Sequence, residues 1–306
     1  MSTKIPDALK ADLPQTKWGK VLGATPIVMT VIATLLAGLS NGEMTRAQYT
    51  RALAAQQQSK AGDQWGFFQA KRLRSAIQSG TLDVVQFTDN GRRLDADALR
   101  AFAATLPDPA SPQSALTLLL AGKLPEQAAA PALDPKLRAA LDGIEQGLSA
   151  DELTPFLNAV PAATVADAIR AAQQHARNFD SLLNPVVRGG DRLGDAIDAA
   201  SPAQASLRRD FAQLRLGYSM MRYDAEAALN RAVAGLYEVQ VRQSNLAAER
   251  HQRRSQRFFY GMLAAQAAVI IATFAMAARQ RNLLWSLAAT AGLGALSFAA
   301  YVFLYL

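Results

Sequence analysis

The run LRRDFAQLRLGYSMMRYDAEAALNRAVAGLYEVQVRQSNLAAERHQRRSQRFFYGMLAAQAAVIIATFAMAA, residues 207 to 278, decides how this chain folds. Its small and apolar residues fall at Leu207, Phe211, Leu214, Tyr218, Met221, Ala225, Ala228, Ala232, Gly235 and Val239. Spacings that alternate between four and three mark a helix with the seam of a coiled coil, and such a seam needs a partner helix. The basic run Arg250-His251-Gln252-Arg253-Arg254-Ser255-Gln256-Arg257 follows. Phe258 to Ala278 then carries no charge over roughly 20 residues, enough to cross the hydrocarbon core of a bilayer. One long helix thus leaves a polar region and enters a membrane.

Working outward, the same pattern appears in reverse near the start of the chain. Residues 1 to 17 form a polar tail with Pro6 and Pro14, Trp18 takes an interface position, and Val21 to Leu39 is apolar. Gly38-Leu39-Ser40 has the small residues a signal peptidase accepts, but the apolar run exceeds the about 7 to 15 residues of a signal core, so residues 18 to 40 read as an uncleaved first span. Residues 41 to 79 contain no proline and are rich in Ala, Gln, Arg and Leu, which extends the span into a first stalk helix. Residues 207 to 257 are the second stalk helix and 258 to 278 the second span. After the basic turn Arg279-Gln280-Arg281-Asn282, residues 283 to 306 form a third span, with Trp285 at one end and Tyr301 and Tyr305 near the other.

Residues 80 to 206 form a helical insert between the stalk helices. Asp95 to Leu106 reads as a helix broken by Pro107-Asp108-Pro109-Ala110-Ser111-Pro112, and Ser114 to Gly122 as another. Asp134 before Pro135 is a capped helix start with a first-turn proline, and Ser149 with Glu152 is a capping box. A helix from about Thr164 to Leu183 is expected to stop before Pro185, with a short one after Gly189-Gly190 and Ser201-Pro202 capping the next. Leu82 to Phe87 is the only strand candidate. The fold class is therefore all-α: three spans, a long antiparallel hairpin stalk and a helical insert.

The net charge is +7, of which Lys4, Lys10, Lys17, Lys20, Arg279 and Arg281 against Asp7 and Asp12 supply four. Together with Arg253, Arg254 and Arg257, these cations flank the apolar segments, where they suit anionic lipid headgroups. Basic and aromatic residues do not interleave as a nucleic-acid groove requires, so membrane lipids rather than nucleic acid are the expected partner. Lys4, Lys10, Lys17, Lys20, Arg279 and Arg281 favour a cytoplasmic N-terminus and Arg46, Arg51, Arg250, Arg253, Arg254 and Arg257 the reverse; because the charge rule fades over connections longer than about 60 residues, the reading taken is a cytoplasmic N-terminus, with the soluble region and the C-terminus on the periplasmic side of a bacterial inner membrane. The chain has no cysteine, which removes disulfides, thiolate metal sites and a thiol nucleophile.

Within the first stalk helix, Trp65, Phe68 and Arg72 share one face, and Gly62 with Gly66 offers a strip where another backbone can approach. Trp65, Phe67 and Phe68 read as anchors of a helix pair rather than as a ligand platform. If the stalk helices are antiparallel, residues at one height have numbers summing to about 298. A buried Trp65 then faces Ala232 and Gly235, Lys71 and Arg72 face Glu226, and Phe68 approaches Leu229.

No catalytic constellation is evident. His175 and His251 lack a neighbouring Cys or second His and read as surface residues, the glycines form no phosphate loop, and the second and third spans hold no charged residue, Gln266 being the most polar of the second. No enzyme activity, cofactor or metal is expected. The leading reading is a membrane-anchored helical interaction or scaffold protein, a homo-oligomer or bound to another protein. A membrane sensor or channel-like oligomer comes second, and an enzyme hidden in residues 80 to 206 third.

A first span, a helix with Asp63-Gln64-Trp65 followed by Phe68-Gln69-Ala70-Lys71, the run Arg222-Tyr223-Asp224-Ala225-Glu226 and a terminal hairpin with a basic turn and Trp285 resemble the bacterial membrane-protein family domain of unknown function 4337. The resemblance covers residues 18 to 79 and 207 to 306. It implies a three-span inner-membrane protein and supplies no activity to transfer. Residues 80 to 206 depart from the pattern, whose members have a shorter connection.

Overall fold

The computed structural model describes residues 17–88, 92–200, 204–277 and 281–305. These form eight helices and no strand: α1 Lys17–Thr88, α2 Ala96–Ala104, α3 Ala110–Ala121, α4 Pro135–Glu145, α5 Ala150–Ala159, α6 Ala162–Ala199, α7 Ala205–Ala277 and α8 Arg281–Tyr305. The chain is all-α, as its residue spacing predicts. It divides into two units, one of residues 1–53 with 244–306 and one of residues 54–243.

In the first unit, α1 and α7 meet along small residues. Ala33, Ser40 and Ala47 on α1 and Ala248 and Ser255 on α7 are buried and spaced by sevens. The Ser40 hydroxyl donates to the Ser255 carbonyl at 2.9 Å, and the Ser255 hydroxyl donates to the Ser40 carbonyl at 2.8 Å. Such reciprocal bonds satisfy two buried hydroxyls without spreading the backbones apart. Further along, Ala265 and Ala295 pack with Ala33, and Ala272, Ala275 and Ala288 form another cluster. Many large apolar residues point outward instead: Ile27, Val31, Leu35, Leu263, Ile270, Phe274, Leu287 and Leu293 are all exposed, while Leu36, Phe258 and Val302 pack together inside.

In the second unit the facing strips are Ala54, Ala61 and Ser75 on α1, and Ala227, Ala234 and Val241 on α7, all buried. The Ser75 hydroxyl donates to the Met220 carbonyl at 3.3 Å. Antiparallel neighbours here have numbers summing to 295 (75 with 220), near the expected value. The seam from Leu207 to Ala225 faces elsewhere. Leu207, Phe211 and Tyr218 join Leu99, Leu116, Leu119, Phe179, Leu183, Leu193 and Ile197 in the main core, with Leu214, Met221 and Ala225 against it. The partner of that part of the seam is the insert. Gly62 and Gly66 are also off the pairing face, since an added Cβ at either would meet nothing within 4 Å.

Several local expectations need correction. Leu82 to Phe87 is helical, the end of a 72-residue α1, because a helix that is already running adds residues cheaply even when they are β-branched. α3 starts at Ala110 rather than Ser114, with Pro112 in its first turn, where a missing N–H costs nothing. α6 does not stop before Pro185 but runs 38 residues through it. Pro185 is exposed, so water can bond the carbonyl it leaves unpaired, while the buried stripe Phe179, Leu183, Val186, Leu193 and Ile197 continues on both sides. The Asp134 cap and the Ser149–Glu152 capping box form as expected. Ser201 and Pro202 lie outside the described residues, as do Arg279 and the polar tail through Thr16.

Gly189 and Gly190 separate two roles of glycine in one helix. A Cβ on Gly189 would sit 2.5 Å from the Ser111 carbonyl oxygen and 2.8 Å from the Ala115 Cβ, so α3 and α6 touch there backbone to backbone. A Cβ on Gly190 would meet nothing within 4 Å. Gly189→Ala should destabilise the protein by about 1 to 3 kcal/mol through overpacking, whereas Gly190→Ala should gain up to ~1 kcal/mol of helix propensity. Thermal unfolding of the two variants by circular dichroism, side by side, checks the opposite signs.

Candidate functional site

The second unit holds a belt of polar contacts between α1 and α7. The Trp65 indole N–H donates to Glu238 Oε1 at 2.8 Å, and its ring meets Phe68 edge to face at 5.4 Å. Further along, Lys71 Nζ contacts Glu226 Oε2, Arg222 Nε lies 3.5 Å from the other Glu226 oxygen, and Arg72 pairs with Asp224 at 2.8 Å. The Tyr223 ring is flanked by the cations of Arg222, Lys71 and Arg74, at 4.6, 5.3 and 5.9 Å from its centroid. The Glu226 side chain keeps only 13% of its surface exposed, and Arg72–Asp224 is the open pair of the set.

Lys71 therefore meets Glu226, while Arg72 takes Asp224 instead. Trp65 does not face Ala232 and Gly235 and is only half-buried. Those two small residues are turned toward the insert, where a Cβ on Gly235 would lie 3.3 Å from Leu141 Cδ2. They line a groove of about 750 Å³ with Leu137 and Leu141 of α4 and Ala168 and Ala171 of α6. Leu229 packs against the main core rather than against Phe68. The residue missing from the sequence-based set is Glu238. Its signal is the seven-residue strip Ala227, Ala234, Val241, which places position 238 beside the α1 face.

Burial and the Glu226 carboxylate raise the pKa of Asp180 on α6, opposed by the Lys71 and Arg222 cations. Burial likewise raises Tyr218, whose hydroxyl is buried with no hydrogen-bond partner, and so keeps the phenol neutral. Elsewhere in this unit, the buried Asp210 carboxylate contacts Arg92 and accepts from the Asp95 backbone N–H at 3.1 Å, which fixes the start of α2. Glu145 pairs with Arg231 at 3.0 Å, tying α4 to α7.

The first unit has its own polar layer. His251 Nδ1 lies 2.6 Å from Glu43 Oε2, and Arg46 donates to the other Glu43 oxygen at 2.9 Å. His251 is thus a partly buried partner of a carboxylate, not a surface residue. Of the membrane-flanking arginines, Arg253 lies 3.7 Å from Glu249, Arg254 has a buried Nε without a partner, and Arg257 stands 5.9 Å over the Tyr301 ring. Arg281 begins α8, its side chain outside the described residues. Among the described residues, no three His, Cys, Asp or Glu come together in a way that would hold a metal ion.

Two predictions follow from the belt. Glu226→Ala removes the carboxylate that contacts Lys71 and Arg222 and leaves them only Asp180 nearby, and should cost about 2 kcal/mol, below the cost of breaking a fully buried pair because both cations keep some water. Trp65→Phe should cost only ~1 kcal/mol, the worth of one hydrogen bond. Chemical denaturation orders the two. For Asp180, the folded pKa lies above the unfolded value of about 3.9, so its own contribution to stability is greatest below that value and is lost as pH rises through the folded pKa. Asp180→Asn should therefore raise the unfolding temperature at pH 7, with the gain shrinking as the pH falls through the carboxylate range.

No curated protein and no solved structure matches the chain. Residues 18–108 match the family described as Domain of unknown function (DUF4337), a segment that takes in the first part of the resemblance, extends through α2 and stops short of residues 207 to 306.

Proposed function

We propose that this chain is a membrane-anchored helical interaction protein, with the first unit in the bilayer and the second acting on a protein partner. The observation that carries the reading is the inverted packing of the first unit. Alanines fill much of its interior beside one cluster of Leu36, Phe258 and Val302, and most of the other Leu, Ile, Val and Phe side chains are exposed along α1, α7 and α8. Water disfavours that distribution, whereas lipid favours it, because small residues let helices approach where there is no hydrophobic drive to bring them together. α1 and α7 are each long and apolar enough over part of their length to cross a membrane, and Ser286–Val302 of α8 is a shorter apolar stretch.

The reading places the chain in a bacterial inner membrane with three spans, a cytoplasmic N-terminus and the second unit in the periplasm. The polar contacts of the second unit support interaction rather than catalysis, because Glu226, Asp210 and Glu238 are each committed to a neighbouring donor or cation. The protein should stay in the membrane pellet after an alkaline carbonate wash and dissolve only in detergent. Release into the wash would overturn the anchoring. Alkaline phosphatase fused after Leu306 should be active, and an inactive fusion alongside an active one after Lys17 would reverse the sidedness.

A further inference from the structure

The outer face of α1 in the second unit carries a seam that none of the described residues covers. Gly66, Ala70, Leu73, Ile77, Gly80, Val84 and Phe87 follow one another at alternating spacings of four and three, and all seven are exposed. None bears a charge. Leu73, Ile77, Val84 and Phe87 keep 63%, 55%, 65% and 87% of their surface in contact with solvent. This face lies opposite the strip of Ala54, Ala61 and Ser75 that packs on α7, so α1 has two seams and the fold uses one of them.

We infer that this outer seam is a homodimer interface, in which α1 of one chain lies parallel and in register with α1 of a second copy. The inference rests on the membrane-anchored reading, because two copies in one membrane both send α1 out of it in the same direction. The residue types fit the same geometry. In heptad terms Ala70, Ile77 and Val84 take the a positions, and Gly66, Leu73, Gly80 and Phe87 the d positions. β-branched residues at a with leucine at d favour two parallel strands. Gly66 and Gly80 allow the backbones to come close, and no cavity-filling neighbour competes, since a Cβ at either would meet nothing within 4 Å.

Area and charge agree. Pairing the seam, with Phe67 at its edge, would remove about 600 Å² of apolar surface per chain, or about 1,200 Å² in all, above the ~1,000 Å² expected of a specific interface. The positions flanking the seam are Gln69, Arg74, Ala76, Thr81, Asp83 and Thr88. In a parallel pair Gln69 meets Arg74 and Asp83 meets Thr88 of the other copy, so no like charges oppose. A seam this short is marginal in solution, but confinement to one membrane raises the effective concentration of the second copy.

The absence of cysteine makes the test direct. Ile77→Cys and Val84→Cys, each alone in the full chain in washed membranes, should give a disulfide-linked dimer on mild oxidation. Gln86→Cys, off the seam and exposed, should give at least about tenfold less. Adding Leu73→Glu to the Val84→Cys chain should abolish its crosslink while leaving helical content unchanged by circular dichroism, since Leu73 is not part of the core. A crosslink no stronger at 77 and 84 than at 86 would overturn the interface. One formed only when Ile77→Cys and Val84→Cys copies are mixed would overturn the parallel register. Membranes that retain the chain but yield no crosslink reject this inference alone, whereas a chain absent from washed membranes rejects the anchoring on which it rests.

Discussion

Close approach of α1 and α7 is the constraint from which the rest follows. Alanine or serine at intervals of seven gives each helix a flat strip, and two such strips bring backbones nearer than leucine knobs allow. A strip so smooth gains little from burying side chains, so the large apolar residues are free for other faces. In the second unit, α7 spends them on the insert: Leu207, Phe211 and Tyr218 join the main core, and Leu236 and Val239 are buried further along. In the first unit most of them lie on the outside, which suits the lipid surroundings proposed for it.

A smooth strip has a weakness, which is that sliding by one heptad nearly restores the same contacts. The polar residues set into it remove that degeneracy. The Ser40–Ser255 bridge, the Glu43–His251 contact and the Trp65–Glu238 bond each exist at a single register, and a slip would leave their donors and acceptors buried without partners. Their net worth is modest. Their effect on alternatives is larger, since each wrong register loses several at once, a use of polar groups also known from single buried amides in helix pairs.

The sequence made the helices legible but not which faces they share. Uncharged runs, proline positions and the two caps at Asp134 and Ser149 are local signals, and they placed the all-α fold, the antiparallel sense and the Lys71–Glu226 contact. The face assignment failed because leucine and aromatic spacing on α7 is louder than alanine spacing, and it reports the insert rather than α1. Ala232 and Gly235, expected opposite Trp65, border a groove with α4 and α6 instead. Pro185 misled for a related reason: a local rule says stop, but the decision lay in a stripe of buried residues that only tertiary packing brings together. Histidine 251 looked isolated because its partner is 208 positions away in sequence.

Gln243 shows how the insert is indexed on its support. Its amide nitrogen donates to the carbonyls of Leu157 and Val160, at 3.0 and 2.8 Å, closing the C-terminal end of α5 with a side chain that belongs to α7. A helix end usually finds its last partners in its own chain neighbours or in water. Here the terminus is completed only when α5 is seated at one height and one rotation on α7, so the cap acts as a detent: small axial creep of the insert raises the energy in a step rather than gradually.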